Sequence, residues 1–228
     1  MLEQMEMTME DLLLPTKRVQ IGPLALDGDL VVPPQARGLV VFAPGSGSTR
    51  RHPLYQQMAR ALHEHDLGTL LFDLRPAPSA AEPGASAKLI ADSLVDVVDW
   101  MDRRPALATL PLGLLGAGPG AAAALAAAAA RPQRVGAVVS CSGQLEPVLK
   151  KLPQVAVPTL LIAGGAETAL VAVNRDALAR LPGPHELVLV PRAGFVLEQP
   201  KSLDRVNELA GRWFAHHLPA RAKGARHG

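Results

Sequence analysis

Residues 112–125 read Leu112-Gly-Leu-Leu-Gly-Ala-Gly118-Pro119-Gly120-Ala-Ala-Ala-Ala-Leu125. The opening residues form a continuous apolar run, the pattern of a strand covered on both faces. Gly118-Pro119-Gly120 breaks that run, and the alanines that follow propagate a helix that tolerates proline in its first turn. A strand, a tight turn and a helix of small side chains therefore succeed one another, and Gly118 at the centre of the turn is free to take positive φ.

The same alternation extends in both directions. The sequence predicts strands at Leu24–Val32, Gly38–Ala43, Thr69–Asp73, Leu112–Gly116, Gly136–Ser140, Thr159–Ala163 and Glu186–Val190. Between them lie helical stripes, such as Ile90, Leu94, Val97, Val98 and Met101, and later Val206, Leu209 and Trp213. Repeated strand–helix alternation predicts an α/β fold: a mostly parallel central sheet of about seven to eight strands with helices on both faces. The opening of the chain reads as an antiparallel pair of segments, ending in Val31-Val32-Pro33-Pro34, at the edge of the sheet. Residues 16–218 read as one domain, and the stretch after Gly143 is too short for a large lid.

Composition narrows the function. Of 228 residues, 48% are hydrophobic and 19% charged, which is globular rather than disordered. The single cysteine, Cys141, excludes an internal disulfide framework and any multi-thiolate metal site, and reads as a buried structural thiol. Without Arg221, Lys223 and Arg226, three of the 23 bases, the count is 20 bases against 21 acids. That balance offers no basic face to a phosphate backbone, and 3% aromatics leaves little to stack on bases, so nucleic-acid binding is not expected. Residues 105–130 carry no charge over the length a spanning helix needs, about 20 residues. The prolines and glycines within them favour a strand, turn and helix instead, so no membrane span is expected.

The ends stand apart. Leu2, Met5, Met9, Leu12 and Leu13 share one helical face of an amino-terminal extension over residues 1–15, closed by Pro15. It reads as a self-docked or frayed helix, or as a methionine-rich contact through residues 1–14 for a second copy or another protein. Its acidic start is unlike a basic secretory leader, and a cytoplasmic protein is the expectation. Residues 219–228 read as a basic, disordered tail.

In an open parallel sheet the chemistry sits at the carboxyl ends of the strands. Three segments there carry a resemblance. Val41-Phe-Ala-Pro44-Gly45-Ser46-Gly47-Ser48 resembles an oxyanion loop, Gly113 to Leu125 resembles the nucleophile elbow G-x-S-x-G, and Gly164-Gly165-Ala166-Glu167 resembles an acid loop. In this order, over roughly Val19 to Leu218, they identify the chain as similar to the α/β-hydrolases, and more narrowly to their dienelactone-hydrolase-like branch.

The resemblance implies a Ser-His-Asp type triad, and two of its positions are chemically empty. Gly118 stands where the serine belongs and Phe195 where the histidine belongs, leaving Glu167 as the acid with no imidazole to orient. Pro119 follows the nucleophile position, whose residue normally donates its N–H to the oxyanion, and Pro44 replaces the histidine that usually opens the loop. Pro44, Gly45, Ser46, Gly47, Gly118, Pro119, Phe195 and Val196 are expected around the resulting site, which should be more apolar than a working one. The expectation is a non-catalytic member acting through a small apolar ligand or through protein assembly. The alternative is an ester or lactone hydrolase using other residues, such as Ser46 or Ser48.

Other motifs weigh less. Gly116 to Ala121 also fits G-x-G-x-x-A, but the next strand ends Val138-Val139-Ser140-Cys141 with no carboxylate for a ribose, so no dinucleotide cofactor is expected. His63 and His65 are two apart and make a poor metal pair, so no metal is expected. His185 lies at the amino-terminal side of its strand, while His216 and His217 close the last helix, where positive charge suits the helix dipole.

Overall fold

A computed structural model describes residues 14–45, 49–74, 83–194 and 200–218, apart from the side chains of residues 83–86. Its strands are β1 (Lys17–Ile21), β2 (Leu26–Val31), β3 (Gly38–Ala43), β4 (Leu67–Phe72), β5 (Leu112–Ala117), β6 (Val135–Cys141), β7 (Thr159–Gly164) and β8 (His185–Val190). Its helices are α1 (Pro53–His63), α2 (Pro83–Asp102), α3 (Pro105–Ala108), α4 (Pro119–Ala130), α5 (Thr168–Arg180) and α6 (Pro200–His217). The strands form an eight-stranded sheet in the order β1-β2-β4-β3-β5-β6-β7-β8. β1 pairs antiparallel with β2 and β2 antiparallel with β4, while all remaining pairs are parallel.

Period-two alternation splits the core into two layers. Val41 and Leu114 face one side, against Ile90, Leu94, Val97 and Met101 of α2 and the alanines of α4. Val40, Phe42 and Leu115 face the other, against Tyr55, Met58 and Leu62 of α1 and Val206 and Phe214 of α6. Both helical stripes thus lie where their spacing predicts. Helix α4 has no polar face, and its alanines let it lie buried beside α2 and the sheet.

Two expectations change. The predicted strand Leu24–Val32 begins at Leu26, because Gly22 and Ala25 take positive φ (65° and 49°) in a turn. The chain before that turn forms β1, whose Lys17, Arg18 and Gln20 are exposed and give no apolar signal. Between β6 and β7 lie only two short 3₁₀ turns, Glu146–Val148 and Leu152–Gln154, so no lid stands there. Residues 105–130 divide into α3, β5 and α4, and no described helix is long and apolar enough to cross a membrane. Residues 1–13 and 219–228, expected as a contact helix and a basic tail, lie outside the described residues.

Candidate functional site

The elbow after β5 is formed as its glycines require. Gly118 has φ 53° and ψ −121°, the positive-φ conformation expected of it. A side chain on Gly116 would collide with the carbonyl of Gly120, so strand and helix meet closely. A Cβ built on Gly120 would stand 2.6 Å from the carbonyl oxygen of Ala43 and 3.1 Å from that of Pro44. The loop after β3 therefore abuts the start of α4, bringing two of the three predicted segments together.

Four described residues around this turn have backbone donors that are absent or committed. Pro44 and Pro119 have no N–H. Gly118 donates its N–H to the carbonyl of Cys141 (3.1 Å), and Gly45 donates to the hydroxyl of Tyr55 (3.2 Å). None of these four residues offers a free amide to an oxyanion.

The third segment also converges. Gly165 donates to the carbonyl of Val190 (2.9 Å) and Ala166 to that of Ala193 (3.0 Å), which ties the loop after β7 to the loop after β8. Glu167 precedes α5, is exposed, and places Oε1 3.1 Å from where a Cβ on Gly194 would stand. A cavity of about 410 Å³ opens here, lined by Ala87, Pro119, Gln144, Glu146, Pro147, Glu167, Ala169 and Leu170. Pro119 of the elbow and Glu167 of the acid loop thus share one wall-lined space. Pro44, Gly45 and Gly118 are buried and do not line it. Ser46, Gly47, Ser48, Phe195 and Val196 lie outside the described residues.

This lining includes polar residues that the sequence did not point to. Gln144 and Glu146 bring an amide and a second carboxylate from the loop after β6. Sequence reasoning passed over them because the strand before that loop supplies no catalytic group in the family resembled. It also missed the anchor of the β3 loop. Arg50, 9% exposed, donates its backbone N–H to Asp73 (2.6 Å) and its guanidinium to the same carboxylate. Its Nε lies 3.3 Å from Asp29, and Asp27 stands 3.8 Å from Nη1. Burial opposes the charge on Arg50, but Asp73, Asp29 and Asp27 outweigh it and hold the guanidinium above its ordinary pKa.

Cys141 is fully buried, and desolvation pushes its thiol up to about 12, so it stays protonated and unreactive. His63 Nε2 lies 2.8 Å from Thr69 Oγ1. In this hydroxyl–imidazole contact Thr69 is 0% exposed and sits within β4 rather than at its carboxyl end. Burial, assisted by Arg60, holds the His63 ring below its ordinary pKa. The His65 ring lies instead against Gly211 of α6, so the two histidines have separate partners. No group of three described His, Cys, Asp or Glu residues is placed to hold a metal. His185 pairs with Thr159 at the amino-terminal ends of β8 and β7, away from the elbow.

A dienelactone hydrolase from Anabaena variabilis superposes with a TM-score of 0.81 at 38% identity, covering 90% of this chain and 98% of that one. An esterase from Pyrococcus furiosus (TM-score 0.73, 16% identity, 92% and 94% covered) and Est1E from Butyrivibrio proteoclasticus (0.74, 13%, 89% and 98%) share the fold. Two Mycobacterium tuberculosis proteins, each named "Putative phosphoribosyl transferase", are 41% identical over 204 residues, 88% of this chain but 46% of theirs. The chain therefore spans about half the length of the curated relatives it matches. No protein-family model matches it. Identity to the Anabaena enzyme along nearly the whole of both chains, on a common sheet and elbow, makes this protein a member of the dienelactone hydrolase family of α/β-hydrolases.

Proposed function

We propose that the chain is a non-catalytic member of this family that holds a small molecule in the cavity beside the elbow. The observation that carries the reading is Gly118, in elbow geometry (φ 53°, ψ −121°) with no side chain to attack a carbonyl, followed by Pro119 with no N–H. Loss of a triad nucleophile or base costs about 10⁶ in turnover. A missing oxyanion donor costs a further 10² to 10³ or so, although the two losses overlap. Phe195, at the position of the general base in the family resembled, has no ring nitrogen to accept a proton. What the fold retains is an open cavity of about 410 Å³, within the usual range of ligand sites, rather than a packed wall. The test is native mass spectrometry of the purified chain, with turnover of p-nitrophenyl acetate measured alongside. The reading expects a retained small molecule and hydrolysis no faster than with a denatured sample. Enzyme-dependent turnover that saturates with substrate overturns it.

A second reading, assembly, rests on a different observation. The curated relatives carry about as much chain again beyond the matched half, and their printed name is a phosphoribosyl transferase. On this reading the chain works beside a phosphoribosyl-transferase unit. Co-elution of the chain with the separately produced remainder of the mycobacterial protein supports it, and independent elution at micromolar concentrations removes it.

A further inference from the structure

We infer that β8 is a docking edge for a second copy of this chain, the two β8 strands pairing antiparallel about a two-fold axis at Leu187. β8 ends the sheet. Thr159 donates its N–H to the carbonyl of Pro184 (2.9 Å) and Gly165 donates to that of Val190 (2.9 Å). The even-numbered residues of β8 therefore turn their backbone groups toward β7, and His185, Leu187 and Leu189 turn theirs outward. Among the described residues no strand lies beyond them and no hydrogen bond uses these outward groups. The opposite edge, β1, exposes Lys17, Arg18 and Gln20, side chains that keep further strands from adding. β8 instead leaves Leu187, Val188 and Leu189 half-buried and carries one carboxylate, Glu186.

The second copy fits this edge because the edge is complementary to itself. Centred on Leu187, the pairing sets Leu187 against Leu187 of the second copy and His185 against its Leu189, so every outward N–H meets an outward C=O. Moving the centre to Val188 would set His185 against Pro191, which has no N–H to give. A two-fold join also closes at two copies, whereas β8 against β1 would propagate without end. Each copy brings its strand already ordered on β7, so little chain entropy is lost on pairing. The opposing effect is repulsion between the two Glu186 carboxylates, which stand diagonally across the join at roughly 7–8 Å. Glu186 is exposed, so salt screens that repulsion.

Sedimentation velocity on the full chain reads the association. A strand pair is smaller than a standard interface, so dimer should replace monomer only at about 10–100 μM, and added salt should favour the dimer. Leu187→Pro removes one outward N–H and leaves the bonds to β7 in place, so the folded variant should stay monomeric. Leu187→Cys gives a second reading, under mild oxidation, that does not depend on a proline being tolerated. In the paired strands its Cα atoms would lie about 5.5 Å apart, within disulfide reach, while those of Leu189→Cys would lie about 14 Å apart. Cys141 is fully buried and does not compete. The expected result is a disulfide-linked dimer from Leu187→Cys and none from Leu189→Cys. A chain that stays monomeric up to about 300 μM, several times that range, overturns the proposal. So does a dimer that folded Leu187→Pro leaves intact, or equal cross-linking at the two cysteine positions.

Discussion

The two loops that meet at the candidate site are held by opposite means. The loop after β3 is tied at both ends by side chains: Tyr55 receives the N–H of Gly45, while Arg50 joins Asp73, Asp29 and Asp27. Gln56 adds a bond to the carbonyl of Arg50 (2.8 Å). Among the described residues, the elbow after β5 has no such ties. Its shape comes from glycines at 116, 118 and 120 and from backbone bonds from Gly118 to Cys141 and from Gln144 to Gly118. Neither set of restraints uses a group that acyl-transfer chemistry needs. On the proposed reading, the architecture of a hydrolase site is retained here without its reactivity.

Substitutions at the two loops should expose that contrast. The largest effect belongs to the elbow. Gly116→Leu drives a side chain into the carbonyl of Gly120, where backbone cannot step aside, and should cost about 4 kcal/mol or more. Urea unfolding measures it, and a loss below 1 kcal/mol would mean the close approach is not required. On the other side, Arg50→Met leaves three carboxylates facing one another in a part-buried place. The expected loss is about 2–4 kcal/mol, softened by the exposure of Asp27. Arg50→Lys should recover only part of it, because an ammonium cannot span Asp73 and Asp29 together.

Gly118→Ser is smaller and more informative. A serine at φ 53° is strained by about 1–3 kcal/mol, so stability should fall while esterase activity stays absent. The triple variant Gly118→Ser, Pro119→Ala, Phe195→His restores the nucleophile, the amide and the imidazole together. Slow turnover by the triple variant alone would sharpen the distinction between retained architecture and lost chemistry. The smallest effect concerns His63, which bridges α1 and Thr69 of β4 on the side-chain-tied flank. Its folded pKa is lowered, so the unfolded chain binds the extra proton more readily. Stability should fall as pH drops through the unfolded value near 6.5, by a few degrees in melting temperature. His63→Gln should flatten that slope, and an identical pH profile in the variant would show that another group is responsible.

The fold was legible because its strands and helices carry strong periodic signals. Continuous apolar runs marked β3, β5 and β7, and stripes of large residues marked α2 and α6. The opening antiparallel pair was legible as an edge, but the bounds of β1 were not, since a strand with exposed Lys17 and Gln20 alternates too weakly. The elbow conformation could be read from three glycines and a proline. Arg50 and Asp73 could not be joined on paper, being 23 residues apart on different strands' loops. The polar lining was hidden for a related reason. Gln144 and Glu146 follow β6, and only the folded sheet brings their loop across from Glu167.

The central claim is that no serine in this chain is activated as an acyl-transfer nucleophile. A fluorophosphonate probe incubated with the native protein, followed by intact mass measurement, tests it directly. The account predicts an unchanged mass, equal to that of a heat-denatured control. Stoichiometric addition of one phosphonyl group to a serine of the folded protein, at Ser46, Ser48 or any other position, would contradict it.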